Sequence, residues 1–484
     1  MDLLMTALQG GLASLASYLA AHVLLCLVPA FFIAGGLSAL VPQQSIIRFL
    51  GPDAPKWMSY SAAAGAGSLL AVCSCTIQPL FAGIYKKGAG LGPAITFLFF
   101  APAANILALS YTGVALGADF AIARIVLALT FGIGIGMIMA ALFRESDAAR
   151  LADTQTFASG EGISGKTLFF LGTLVALLIA GTLKLEFLKH IVLNTTLPWP
   201  GASEAQAILD NWVPVDEATG AEGLSLQGVV LIGLLLVIGA SAWRGLGKVD
   251  EGFNRLTAIT LGIVTATLVF AAMGVQVTPT GISLTVTGRT LAVLVACLAL
   301  LPQAQRFEAW DVQQWLWETW RFVKMIFPLL IVGVFLVGVI RVFIQPEWIQ
   351  AIAGANTLWA NMAGVVFGVF MYFPTLVEVP IAKMFLSLGM HPGPLIAYLM
   401  ADPELSLQSI LITSAIIGKL RAWTYVGLVA LFSTLAGLTY GAWVDGTSAL
   451  LLSIAVAGFI LLLSTTLHLI EARRKAKAKE SNVC

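Results

Sequence analysis

The chain has 484 residues, 59% of them hydrophobic, with 26 Lys and Arg set against 25 Asp and Glu. Charged residues are 11% of the total and the mean hydropathy is +0.93, whereas a soluble domain is about 25% charged. A water-soluble globule of this size cannot hide that much apolar surface, and a net charge of +1 without a broad basic patch gives a nucleic acid nothing to bind.

The composition points to an all-α, polytopic transmembrane bundle, and at about 20 residues per span there is material for roughly a dozen helices. Met1-Asp2-Leu3-Leu4 lacks the basic start of a cleaved signal, so the first helix is expected to direct insertion itself. In chain order, hydrophobic runs predict spans over 15–41, 58–82, 119–142, 167–185, 224–242, 256–273, 289–302, 321–344, 357–382, 423–442 and 447–469. Two further stretches, 92–116 and 393–417, are apolar but interrupted, each with Gly-Pro at its start and a second proline further on. The 183–223 connection is acidic, with Glu204, Asp210, Asp216, Glu217 and Glu222. Residues 303–324 are amphipathic and carry Trp310, Trp315, Trp317 and Trp320, the signature of an interfacial helix.

An internal repeat organises this order. Gly88, Gly92-Pro93 and Pro102 line up with Gly389, Gly393-Pro394 and Pro403 at one shift of 301 residues (93 to 394), which also pairs Pro79 with Pro380; Pro29 and Pro328 match at nearly the same shift. The expected divisions are a first unit over 1–142, central helices over 143–320, a second unit over 321–470 and a basic cytoplasmic tail over 471–484. If 92–116 and 393–417 are re-entrant hairpins, Arg48, Lys56, Arg144, Arg150, Lys166, Arg244, Lys248, Arg255, Arg306, Lys383, Lys419, Arg421 and the tail fall on one side. The acidic connection falls on the other, leaving Lys86, Lys87 and Lys189 as exceptions. This scheme gives about eleven crossings, with the N-terminus outside, the C-terminus inside and the two units inverted. Such a plan belongs to secondary transporters, which bind solute at the midplane between broken helices.

Several intramembrane residues are candidates for chemistry. In Cys73-Ser74-Cys75-Thr76-Ile77-Gln78-Pro79, Pro79 weakens a helix at the carbonyl of Cys75. An extended backbone there would bring both thiols to one side, with the Ser74 hydroxyl opposite, and thiolates suit soft, thiophilic species. Cys26 and Cys297 read more simply as small buried hydrophobes. The matching second-unit stretch, Thr375-Leu376-Val377-Glu378-Val379-Pro380, places Glu378 in an apolar span, either as a proton carrier or as the structural partner of Lys383 or Lys419. After Pro102 and Pro403 come Asn105 on one side and, around the second proline, Asp402 and Glu404; these are candidates for polar solute contacts, helix capping or proton transfer. Arg124 lies inside a span and needs a partner or water, and Gly132, Gly134 and Gly136 form a close-packing face. His22, His190, His391 and His468 show no metal-ligand spacing and no nucleotide-binding loop is present, so neither a cofactor nor ATP drive nor an enzyme is expected.

The block from Cys73-Ser-Cys75-Thr-Ile-Gln-Pro79 through Gly88, Gly92-Pro93 and Ala101-Pro102-Ala-Ala-Asn105 resembles the signature of the ArsP-like predicted permeases. Thr375 to Pro380, continued through Asp402-Pro403-Glu404-Leu-Ser406, is similar to that family's second repeat, although Gln78 and Asp402-Pro403 depart from the pattern. The resemblance implies a multi-pass permease of the cell inner membrane, exporting a solute such as a trivalent organoarsenical with Cys73 and Cys75 at the substrate. The reading is therefore a proton-coupled secondary exporter of a thiophilic solute. Cys73, Ser74, Cys75, Gln78, Pro79, Asn105, Thr375, Glu378 and Pro380 would bind that solute, with Cys73 and Cys75 as soft-metal ligands. Glu378, Asp402 and Glu404 would couple protons. Membrane lipids, the solute and protons are the expected partners, with a homo-oligomer left open. One alternative is transport of another soft metal ion or a sulfur-containing anion drawn in by Lys86 and Lys87. Another, from a different class, is a thiol-redox protein cycling Cys73 and Cys75, which the strain of a disulfide at that spacing disfavours.

Overall fold

The computed structural model describes residues 2–21, 23–51, 54–69, 74–155, 164–182, 188–213, 215–216, 221–278, 281–343, 347–370, 375–448, 450–459, 461–462 and 465–466. Cys73 and the basic tail 471–484 lie outside the described residues, as do the side chains of Ser74, Cys75, Thr375 and Pro380.

Helix α1 (Asp2–Ala21) leads through a buried π-helical turn at Val23–Leu27 into α2 (Val28–Leu40). Then come α3 (Gln43–Leu50), α4 (Lys56–Leu69), α5 (Ser74–Lys86), α6 (Leu91–Ala103), α7 (Ile106–Ala115) and α8 (Ala118–Leu142). The middle of the chain holds α9 (Arg144–Gln155), α10 (Gly165–Thr182), β1 (Ile191–Pro198), α11 (Ala202–Trp212), β2 (Val215–Asp216), β3 (Ala221–Glu222), α12 (Leu226–Arg244) and α13 (Arg255–Ala272). It ends with β4 (Gly274–Thr278), β5 (Gly281–Thr287) and α14 (Gly288–Ala304). The last part is α15 (Ala309–Arg341), α16 (Glu347–Ala353), α17 (Leu358–Phe370), α18 (Thr375–Ser387), α19 (Pro392–Leu405), α20 (Leu407–Ile417), α21 (Lys419–Val444) and α22 (Leu450–Phe459).

The protein is a multi-pass helical membrane protein. Seven of the described helical stretches are long and apolar enough to cross a bilayer, or eight when α19 and α20 are taken as one bent span. This is fewer than the dozen expected, because several hydrophobic runs are divided. The 58–82 run is split between α4 and α5, the 357–382 run between α17 and α18, and α14 and α22 are short. The tryptophan-rich 303–324 segment is not a separate interfacial helix: it is mostly the first part of the 33-residue α15. Trp315 is buried there and donates to the carbonyl of Phe32 at 2.8 Å. The acidic connection folds with β4 and β5 into a three-stranded antiparallel sheet of order β1-β5-β4, an element the hydrophobic pattern did not suggest.

Elements α2 to α8 are matched one for one by α15 to α21, and the match extends to backbone detail. Gly88 and Gly389 both take positive φ (96° and 88°) after α5 and α18, and Gly117 and Gly418 (111° and 87°) open α8 and α21, a region that suits only a residue without a Cβ. A Cβ on Gly136 would stand 2.7 Å from the carbonyl oxygen of Gly92, and one on Gly437 2.6 Å from that of Gly393. These glycines let α6 meet α8, and α19 meet α21, backbone to backbone. Counterparts also pack on each other across the molecule. Phe120 of α8 lies on Tyr440 of α21, and Phe131 on Phe432, with ring centroids 5.0 and 5.1 Å apart, so these two helices run antiparallel.

The doubled-back segments are not the expected ones. Along α8 the contacts fall steadily as α6 and α7 advance: Gly136 meets Gly92, Gly132 meets Phe99, Arg124 reaches Ala103 and Ala121 meets Gly113. Residues 92–116 therefore run onward through the break at 104–105. The 393–417 stretch does the same with a bend of 47°. The pairs that double back are α4–α5 and α17–α18. Helix α4 starts beside the start of α6, with Tyr60 at Gly92, and reaches its far end, with Gly67 at Ala101; α5 then returns to lead into α6. In the second unit Gly364 meets Pro394 and Gly368 meets Asp402 in the same way. A proline inside a helix removes one hydrogen bond and bends the axis; it does not by itself reverse it.

Candidate functional site

The two units meet at a pair of equivalent helix contacts. On one side α7 packs against α18, and on the other α20 packs against α5, each contact joining a half of one unit to the re-entrant pair of the other.

The α7–α18 junction is built on charge. Arg124, on α8, is wholly buried and its guanidinium is fully engaged. Nη2 meets both carboxylate oxygens of Glu378 at 2.9 and 3.3 Å, Nε donates to the carbonyl of Ala103 at 2.7 Å, and Nη1 donates to Thr112 Oγ1 at 3.2 Å. Thr112 in turn donates to the carbonyl of Ala108 at 2.6 Å. Glu378 sits in the first turn of α18, where the free N–H groups of a helix start favour a carboxylate. Its partner is therefore neither Lys383 nor Lys419. The sequence marked each member of this pair as needing company, but 254 residues separate them and periodicity carries no signal over that distance.

The α5–α20 junction is neutral. Thr413 donates to Gln78 Oε1 at 3.1 Å, and both side chains are buried. Thr413 is the 301-residue counterpart of Thr112, so each junction uses the equivalent threonine. Pro79 lies inside α5 and the backbone of Cys75 is already helical, so an extended backbone does not reach Cys75; Cys73 lies outside the described residues.

Asn105 is committed to the break it follows. Its Oδ1 accepts from Ala108 N–H at 2.9 Å and its Nδ2 donates to the carbonyl of Ala101 at 2.9 Å, capping α7. Ser406 holds the same place and caps α20 through Ser409. Asp402 and Glu404 are buried on the last turns of α19. Glu404 Oε2 accepts from the hydroxyl of Tyr425, while Oε1 has no partner among the described residues. Tyr425 is the counterpart of Arg124, and Glu404 of Ala103, so a side-chain hydrogen bond here replaces the Arg124–Ala103 bond of the first unit. The repeat register was the signal that would have found Tyr425. Gln408, at the start of α20, has both amide atoms buried and without a partner among the described residues.

Cys26 and Cys297 are buried and unbridged, and Cys26 lies against Thr76 of α5. Among the described residues no group of three or more His, Cys, Asp or Glu is placed to hold a metal ion. Lys87, in the turn after α5, has its pKa pushed down to about 8, first by burial and then by the charge of Lys86, with Glu318 opposing.

No solved structure matches the chain. A UPF0718 protein of Methanocaldococcus jannaschii is 32% identical over 441 residues, an alignment covering 91% of this chain and 98% of that protein. A family model described as a predicted permease, ArsP_1, matches residues 9–442, which take in both repeated sets of helices and everything between them. The chain belongs to the ArsP_1 family of predicted permeases.

Proposed function

We propose that this permease is a proton-coupled secondary exporter of the cell inner membrane, working by alternating access between two inverted units. The observation that carries the reading is the pair of equivalent junctions, Arg124–Glu378 at α7–α18 and Gln78–Thr413 at α5–α20, related by the repeat and built from buried polar groups between broken helices. Polar groups at membrane depth are costly and mark a pathway. The antiparallel packing of α8 on α21 supports inversion. Three crossings per unit plus one re-entrant pair leave its parity as the hairpin scheme had it, because one doubled-back pair simply replaces another. The exchange also moves Lys86 and Lys87 to the basic side, with Arg150 and Arg421, and Lys383 to the other. The basic side is the cytoplasmic one.

In this reading the solute is thiophilic, a trivalent organoarsenical or a related soft species. It exchanges its ligands onto Cys73 and Cys75, with Gln78, Thr375 and Pro380 as further contacts of the solute. Proton coupling passes from Glu378 to Glu404, with Asp402 beside it. Protonating Glu378 would strand Arg124 as an unpaired buried charge, a cost of about 3–5 kcal/mol. Glu404 has a neutral partner and an oxygen to spare. Opening one junction at a time, with the other closed, gives the two faces access in turn.

The test is uptake of a radiolabelled trivalent methylarsenical into inverted vesicles under an imposed proton gradient. Wild type is expected to accumulate it, Cys73→Ser/Cys75→Ser to lose uptake with or without the gradient, and Glu404→Gln to lose only the gradient-driven part. Uptake that survives loss of both thiols removes the thiophilic solute. Gradient-driven uptake that survives Glu404→Gln removes the proton assignment.

A further inference from the structure

Beyond the junctions, a cavity of about 620 Å³ opens between the end of α5, α9, the first half of α15 and the end of α20. Its wall carries Lys86, Arg150, Arg321 and Lys324 against one carboxylate, Glu318. Arg150 is neutralised in place, bonding Asp147 Oδ1 through Nη2 and Nε at 2.8 and 3.0 Å and donating to the carbonyls of Tyr85 and Ala89. Among the described residues, the other three cations have Glu318 as their one carboxylate. Lys86 and Arg321 both bond it, Arg321 at 3.1 Å, while Lys324 lies over the Trp317 ring, 5.0 Å from its centroid. Positive charge is thus in excess, and Lys87 next door feels it: the charge of Lys86 adds to burial in holding its pKa down. The rest of the lining is apolar, including Phe322, Met325 and Ile416.

Such an enclosure has a defined complement. Arg321 and Lys324 are three residues apart on α15 and project from one face of it, with Lys86 facing them from α5. An arginine beside two ammonium groups suits an oxyanion, since guanidinium offers paired N–H donors to two oxygens. The apolar part of the wall suits a molecule that is not oxyanion alone. Basic pockets between membrane helices near the bilayer surface take anionic headgroups by this same arrangement.

We propose that this cavity is a binding site for a phosphate-type oxyanion, carried either by an anionic phospholipid or by a soluble solute. The oxyanion is held by Arg321, Lys324 and Lys86, and Glu318 sets its affinity by competing for them. Occupancy draws Lys86 and Arg321 off Glu318.

The test uses the full chain purified in neutral detergent, with thermal stabilisation by inorganic phosphate titrated at constant ionic strength. A parallel measurement compares nanodiscs of phosphatidylglycerol with nanodiscs of phosphatidylcholine. Stabilisation by phosphate, or by phosphatidylglycerol over phosphatidylcholine, is expected. The first result assigns a soluble anion and the second a lipid headgroup. Arg321→Gln/Lys324→Gln should weaken the effective response roughly tenfold, as expected for losing charge-assisted hydrogen bonds. Glu318→Gln should strengthen it, a change of opposite sign that general destabilisation cannot mimic. The site is overturned if neither ligand stabilises the protein, or if Arg321→Gln/Lys324→Gln responds as wild type does. It is equally overturned if Glu318→Gln, folded by size-exclusion profile, binds more weakly. None of these readouts depends on transport, so the exporter and this site stand or fall separately.

Discussion

Position 124 in the first unit is arginine and position 425, its counterpart in the second, is tyrosine; position 103 is alanine and position 404 is glutamate. The backbones around them are nearly the same. Each unit has its glycine of positive φ after the re-entrant pair, its glycine-to-glycine approach of two helices and its capped break. The chemistry has been divided between them. The first unit holds the buried guanidinium, Gln78 and the two neighbouring cysteines; the second holds Glu378, Asp402, Glu404 and Gln408. A repeated scaffold thus preserves what fixes the path of the chain, while side chains not needed for that path are free to diverge. The only ion pair joining the units among the described buried residues forms because the divergence is complementary.

That complementarity is where the comparison breaks most readily. Arg124→Gln leaves Glu378 buried without its partner and should cost about 3–5 kcal/mol, read as a fall in the thermal midpoint of the purified protein. Arg124→Gln/Glu378→Gln should recover much of that loss, since no charge is then stranded. If the double variant is no better than the single one, the pair is not what couples the units.

The shared backbone is tested next. Gly136→Val and Gly437→Val each drive a side chain into a carbonyl oxygen less than 3 Å away, and each should cost about 1–3 kcal/mol or more. The two losses should be similar; a tolerated substitution in one unit alone would show that the close approach is needed only in the other. Tyr425→Phe is a smaller change, about 1–3 kcal/mol, because it removes the one donor that Glu404 has among the described residues. Thr413→Val should cost about 1 kcal/mol, the worth of one neutral hydrogen bond at the α5–α20 junction.

Much of this architecture was legible before any coordinates. The repeat register was, because glycine and proline are set by backbone needs and recur at one spacing. So was the need of Arg124 and Glu378 for partners, which follows from the cost of a charge in an apolar span. The doubled-back pairs were not. Pro102 and Pro403 announce a break, but whether the chain turns back or runs on depends on which neighbour the next half-helix packs against, here α8 and α21. The actual reversals fall in runs that are apolar and continuous by sequence, so hydropathy reads them as single spans. In the proposed topology, Lys86 and Lys87 are exceptions to the charge rule only while α4 and α5 are taken as one crossing, and Lys383 takes their place as the exception.

Lys87 offers the gentlest test of the comparison, because its counterpart, Leu388, already shows what the turn accepts without a charge. Burial and Lys86 hold the Lys87 pKa at about 8, below its ordinary 10.5. Between those values the unfolded chain keeps a proton that the folded one has released, so wild-type stability should rise with pH through that window. Below pH 8 both states are protonated and the burial penalty is present in full. Lys87→Leu removes the titration, so its stability relative to wild type should be greatest below pH 8 and should decline as pH climbs towards 10.5. The effect is modest, because the residue lies in a turn that solvent partly reaches and screens. Thermal midpoints of the two proteins collected across pH 7 to 10.5 would show it as a converging pair of curves. Parallel curves would mean that Lys87 keeps its proton in the fold, and that the first unit's turn is as open to water as an ordinary lysine requires.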